Sequence, residues 1–219
     1  GEYTALVAAG VLELTDATRL VAMRGRVMQE AVPVGAGAMA AILGLDDERV
    51  RELCATGAEG QVVAAVNYNS PGQVVIAGDA DAVNRVAEMA KTAGAKRAIP
   101  LDVSVPSHCA LMKPAAERLA EAMRGVGFSK SQVPVLHNVN VREASDGDEI
   151  QRLLVEQLYS PVRWVETVQS IAGWGAELVI EAGPGKVLSG LVRRIDKSLK
   201  ALPVFDPGSL EQAMETINA

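Results

Sequence analysis

A chain of 219 residues is long enough to bury a sizeable core, as one domain or as two. Its hydrophobic fraction of 49% suits an ordinary globular protein, and with aromatics at only 3% the core must be built from Val, Leu, Ile, Ala and Met. Few stacking rings and a net charge of −6 argue against nucleic-acid binding, and no stretch nears the roughly 18 charge-free apolar residues of a membrane span.

Residues 1–10 read as a helix. After "VLEL", Thr15 is a candidate N-cap, with Asp16 in the first turn, for a helix through "ATRLVAMRGRVMQEA" that ends before Pro33. "MAAILGL" is a short apolar strand and "DDERVRELCAT" a helix with an acidic start. "QVVAAVNYN" and "QVVIAG" are strands joined by the turn "SPG", "DADAVNRVAEMAKTAG" is a capped helix closed at Gly94, and "KRAIPLDVSV" is a last strand. This β-α-β-β-α-β order is that of a ferredoxin-like unit, read here as a subdomain over residues 36–103, inserted between segments 1–35 and 104–219 of a main domain. Helices over "KPAAERLAEAMRGV", "DGDEIQRLLVEQL", "VRWVETVQSIAGW" and "KVLSGLVRRIDKSL" then alternate with strands "VPVLHNV", "ELVIEAG" and "ALPVF". Such alternation predicts an α/β core with a mainly parallel sheet. Cys54 and Cys109 lie far apart without metal-ligand spacing, as in a reduced cytosolic protein, and no basic-then-apolar leader opens the chain, so a cytoplasmic location is expected.

Candidate chemistry begins at Arg24. At about 100° per residue, Leu20, Val27, Met28 and Ala31 share one apolar arc, and Arg24 points into its middle while Arg19 and Arg26 project elsewhere. An arginine aimed at a core requires an anion, either an internal Asp or Glu or a ligand carboxylate gripped by its planar fork. His108, in "VSVPSHCALM", follows a strand end and a proline turn, a common place for catalytic groups on α/β scaffolds; a structural loop histidine is the alternative. His137 sits inside the strand-like "VPVLHNV" and reads as structural. Ser107 and Cys109 are poor nucleophiles for His108 because chain neighbours rarely form that hydrogen bond. "EAGPGKVLSGL", with Lys186 at the helix start, fits a tight strand-to-helix turn better than a phosphate loop. The pair Lys96–Arg97 reads as a solvated basic face or as a contact for an anionic ligand or partner.

Together the segments "GEYTAL", "MRGRVMQE", "GAMAAILGL", "NYNSPGQVVIAG", "AKRAIPLDVSVPSHCALM", "QLYSPVRW" and "EAGPGKVL" resemble, in order and spacing, the discrete bacterial malonyl-CoA:acyl carrier protein transacylases. The resemblance implies an incomplete α/β-hydrolase-like core with the inserted ferredoxin-like subdomain. In that family the turn G-H-S-L-G-E-Y is a nucleophile elbow, and Gly1 matches its closing glycine. The serine is therefore expected two residues upstream of Gly1, together with the oxyanion-hole groups, and the 219 residues are expected to be inactive alone.

The same resemblance gives His108 the role of general base and Arg24 that of clamp for the malonyl carboxylate. Gln157 matches the residue whose backbone carbonyl holds the second ring nitrogen of the histidine. Lys96 and Arg97 match basic positions linked to the CoA phosphates and the acidic carrier protein. The implied reaction is ping-pong malonyl transfer to the phosphopantetheine thiol of acyl carrier protein, for fatty acid biosynthesis, with malonyl-CoA as substrate and no metal or redox cofactor. Two other readings compete: a non-catalytic acyltransferase-like fragment that binds CoA or carrier protein, and a hydrolase using the same elbow.

Overall fold

A computed structural model describes residues 1–218. The chain opens with helices α1 (Glu2–Ala8) and α2 (Leu14–Ala31). Four strands and two helices follow in the order β1 (Gly37–Leu43), α3 (Asp47–Gly57), β2 (Val63–Ser70), β3 (Gln73–Asp79), α4 (Ala80–Thr92) and β4 (Arg97–Pro100). Helices α5 (Lys113–Met123), α6 (Gly147–Glu156) and α7 (Trp164–Gly173) precede β5 (Leu178–Ala182), α8 (Val187–Ile195), β6 (Lys200–Val204) and α9 (Pro207–Ile217).

Side-chain caps account for several of these helix starts. The Asp46 carboxylate accepts the Arg49 N–H at 2.7 Å to open α3, and Asp146 accepts the Glu149 N–H at 2.9 Å to open α6. Asp79 is different. It precedes α4, but its carboxylate accepts the Val62 N–H at 2.7 Å and so ties the helix start to the entry of β2. Thr15 is not a cap: α2 begins two residues earlier than that cap would give, at Leu14 with Glu13 at the N-cap, after the buried Val11 and Leu12. α9 is opened by a capping box between Asp206 and Ser209.

The first four strands form an antiparallel sheet in the order β2-β3-β1-β4. Period-two alternation sorts its side chains. Ala40, Ile42, Val74 and Ile76 face α3 and α4, where they meet Val50, Leu53, Val83 and Val86. Met39, Val66, Val75 and Ala77 face the opposite way and pack on Cys109. A second core joins α1, α2, α5 and α6 through Leu6, Leu20, Val27, Leu119 and Leu154.

The expected parallel sheet is present, among the described residues, only as the pair β5–β6, which packs against α7 and α8 through Val168, Val192 and Ala201. The expected strand over 133–139 does not form. Val133 stays exposed, Val135 is buried in the helical core, and the buried His137 opens a turn closed by Val141 N–H to His137 C=O at 2.9 Å.

One irregularity places the site. β2 changes register against β3 between Ala65 and Asn67, and its other edge has no strand neighbour. There Val162 N–H donates to Val66 C=O at 2.8 Å, and Tyr68 N–H donates to Val162 C=O at 3.0 Å. The bulge thereby ties the antiparallel unit to the segment that leaves α6.

Candidate active site

Helix α6 ends at Glu156, so the carbonyls of the next residues have no intrahelical donors. His108 takes two of them. Its backbone N–H donates to Leu158 C=O at 2.9 Å, and its ring Nδ1–H donates to Gln157 C=O at 2.8 Å. The residue sits at φ +66°, a left-handed conformation that these anchors and the preceding Pro106 turn hold in place. With the proton fixed on Nδ1, Nε2 carries the free lone pair of a neutral base. Burial pushes the imidazole below its ordinary 6.5; the Gln157 carbonyl opposes this, the positive charge of Arg24 adds to it, and the Ser160 carbonyl and Glu2 oppose it again.

Arg24 lies half-buried on the same arc of α2 as the buried Leu20, Val27 and Met28. No carboxylate approaches its guanidinium within ion-pair range among the described residues. Its one hydrogen bond runs from Nη2 to the Gln157 side-chain oxygen at 3.4 Å, and the buried Nε–H has no partner. Burial lowers its affinity for the proton, but an arginine stays charged under such conditions. The internal ion pair open in the sequence is therefore absent.

His108, Arg24, Gln157 and Gly1 all line one cleft of about 660 Å³, together with Tyr3, Asn67 and Trp164. Three buried polar atoms lack partners among the described residues, Arg24 Nε, Tyr3 OH and Trp164 Nε1, and all three belong to residues of this cleft. Buried polar groups are normally satisfied, so this concentration marks a place built to meet a polar ligand.

The flanking candidates lie outside this arrangement. Cys109 is sealed, its Sγ 3.2 Å from the Pro106 carbonyl and its thiol pushed up to about 11 by burial, so it is not a nucleophile at neutral pH. Lys96 and Arg97 are not part of the cleft. Both are exposed at the start of edge strand β4, where Lys96 borders a separate hollow with Gly44, Ser70 and Arg194. "EAGPGK" is a strand-to-helix turn in which Glu181 accepts the N–H groups of Leu188 and Ser189, at 3.0 and 2.7 Å, to start α8.

Sequence reasoning missed Glu2. It carries a buried carboxylate at the cleft wall, bonded to His137 Nδ1 at 2.5 Å, to Asn138 Nδ2 at 2.6 Å and to Gln157 Nε2. Helical spacing carries the signal: Glu2 shares with Tyr3 and Leu6 the buried face of α1, as Arg24 shares that of α2.

An oriented neutral imidazole facing the same space as an unpaired guanidinium defines a site suited to acyl transfer, with the base activating a hydroxyl or thiol and the cation receiving an acyl group that carries a carboxylate. The chain belongs to the acyl transferase domain family, whose model matches residues 1–209. It is 55% identical over 215 residues to the malonyl CoA-acyl carrier protein transacylase of Escherichia coli K12, a match covering 98% of this chain and 70% of that protein. To the enzyme of the same name from Bacillus subtilis it is 48% identical over 218 residues, covering 99% of this chain and 69% of the relative. Among solved structures it superposes with a TM-score of 0.97, at 54% identity, on a malonyl-transacylase bound to a type II polyketide synthase acyl carrier protein, covering 99% of this chain and 70% of that one. An acyl carrier protein S-malonyltransferase from Vibrio cholerae matches with a TM-score of 0.96 and 54% identity, over 97% of this chain and 70% of that one.

Proposed function

We propose that this chain is the malonyl-binding and base-bearing part of a malonyl-CoA:acyl carrier protein transacylase of fatty acid biosynthesis. One observation carries the reading: His108 Nδ1 is held at 2.8 Å by the Gln157 carbonyl in the same cleft as the unpaired fork of Arg24. In the full protein His108 Nε2 takes the proton of the elbow serine, which attacks the malonyl thioester and expels CoA. The imidazole gives that proton to the departing CoA sulfur, then takes the proton of the carrier protein's phosphopantetheine thiol as it attacks the serine ester and hands it to the serine oxygen that leaves. A carbonyl behind the imidazole fixes its tautomer without adding the negative charge of an aspartate.

Arg24 supplies the choice of acyl group. Its fork meets the malonyl carboxylate in a charge-assisted pair, whereas an acetyl group leaves the cation unmet. Lys96 and Arg97 would meet CoA phosphates and the acidic carrier protein, a reading supported by their exposure on the edge strand of the antiparallel sheet, outside the cleft. The β2-β3-β1-β4 sheet with α3 and α4 on one face supports reading residues 36–103 as a ferredoxin-like subdomain, set into an α/β-hydrolase-like core formed by 1–35 and 104–219. No metal or redox step is needed for this transfer.

The test is transfer of radiolabelled malonyl from malonyl-CoA to the holo carrier protein by the full-length protein. His108→Ala is expected to reduce transfer by about a hundredfold or more, the ordinary worth of a general base. Binding of malonyl-CoA or carrier protein without turnover would favour a non-catalytic binding role instead.

A further inference from the structure

The Glu2 carboxylate is 3% exposed, yet it is not paired with the nearest cation of the cleft. Four donors satisfy it: His137 Nδ1 at 2.5 Å, Asn138 Nδ2 at 2.6 Å, the Asn138 N–H at 3.4 Å and Gln157 Nε2. An ionised carboxylate can only accept, so the Gln157 amide must turn its NH₂ toward Glu2 and its oxygen toward Arg24. That oxygen is the partner of Arg24 Nη2. One amide group thus stands between a buried anion and a buried cation and bonds to both.

The arrangement meets two conflicting demands. A guanidinium in a largely buried site needs negative charge nearby to remain ionised at low cost. In direct contact, a carboxylate would occupy the fork that must receive the substrate. We propose that Glu2 is a positioning residue for Arg24: acting through the Gln157 side chain, it orients the amide oxygen that steers the guanidinium and supplies its counter-charge from one amide away, leaving the fork open. The field of Glu2 also favours the charged form of Arg24. The Gln157 residue then serves both halves of the site, its backbone holding His108 and its side chain holding Arg24.

This inference rests on Arg24 receiving the acyl carboxylate, and the experiment separates the two. Malonyl and acetyl transfer are measured for full-length wild type, Arg24→Ala, Glu2→Gln, Gln157→Leu and the Glu2→Gln/Gln157→Leu double variant. Loss of the malonyl preference in Arg24→Ala establishes the underlying reading, and its retention there would defeat that reading and this inference with it. Glu2→Gln places an NH₂ among donors and is expected to lower the malonyl-to-acetyl ratio of kcat/KM about tenfold, chiefly through a raised KM for malonyl-CoA. Gln157→Leu keeps the backbone carbonyl and should lower the ratio to a similar degree. Because Glu2 orients Arg24 through Gln157 and keeps only its field once the amide is gone, adding Glu2→Gln to Gln157→Leu should change the ratio by about threefold at most. A full additional tenfold loss in the double variant, or equal falls in malonyl and acetyl transfer, would overturn the inference. Should Glu2→Gln fail to fold, Gln157→Leu alone decides: an unchanged ratio there also overturns it.

Discussion

Replacing Arg24 by alanine isolates the part of the site that chooses the acyl group. Among the described residues the guanidinium makes one hydrogen bond, a 3.4 Å contact to the Gln157 amide oxygen, and its buried Nε–H makes none. Almost all of its bonding capacity is therefore open to a ligand, and little of the surrounding structure depends on it. A charge-assisted pair with a carboxylate in such a setting is worth about 2–4 kcal/mol, or roughly 30- to 1,000-fold in kcat/KM. Arg24→Ala should remove that factor from malonyl transfer and change acetyl transfer by less than about threefold. Arg24→Lys keeps the charge without the fork and should fall between wild type and alanine. Steady-state transfer to holo carrier protein from malonyl-CoA and acetyl-CoA, with melting temperatures as a control for folding, provides the comparison. Equal losses for the two acyl groups would mean that the arginine is structural.

Three further outcomes follow from the geometry. His108 is held below its ordinary 6.5, so the acid limb of kcat/KM should lie below that value; between the two pKa values the unfolded chain binds the extra proton, and stability should fall as pH drops below 6.5, an effect absent in His108→Gln when urea midpoints are compared across that range. The Cys54 and Cys109 thiols, buried and pushed up to about 12 and about 11, should not react with a thiol reagent in the native protein and should both react in denaturant. A Cβ on Gly78 would lie 1.9 Å from the Val62 carbonyl oxygen, so Gly78→Ala should cost about 3 kcal/mol of stability by denaturant melt.

Local rules carried far in this chain wherever a feature depended on near neighbours. Arg24 was legible because Leu20, Val27 and Met28 surround it at helical spacing, and the β-α-β-β-α-β order because short apolar runs alternate with capped helices. Interactions spanning the chain were not. Glu2 meets His137 and Gln157 across 135 and 155 positions, and nothing local marks the three as partners. Thr15 is a good cap by type, but buried Val11 and Leu12 fix where the helix begins. "VPVLHNV" has strand-like alternation, yet Val135 is buried by helices while Val133 stays exposed, so the pattern was met without a ladder. The carbonyl behind His108 was reached through resemblance alone, since a backbone acceptor leaves no trace in residue type.

The most direct measurement is the intact mass of the full-length protein mixed with malonyl-CoA in the absence of carrier protein. A single malonyl group should appear on the elbow serine, vanish when holo carrier protein is added, and be undetectable on the same timescale in His108→Ala, which lacks the base that activates the hydroxyl. Malonyl transfer without any covalent enzyme adduct, or an adduct mapped to Ser107 or Cys109, would contradict the account.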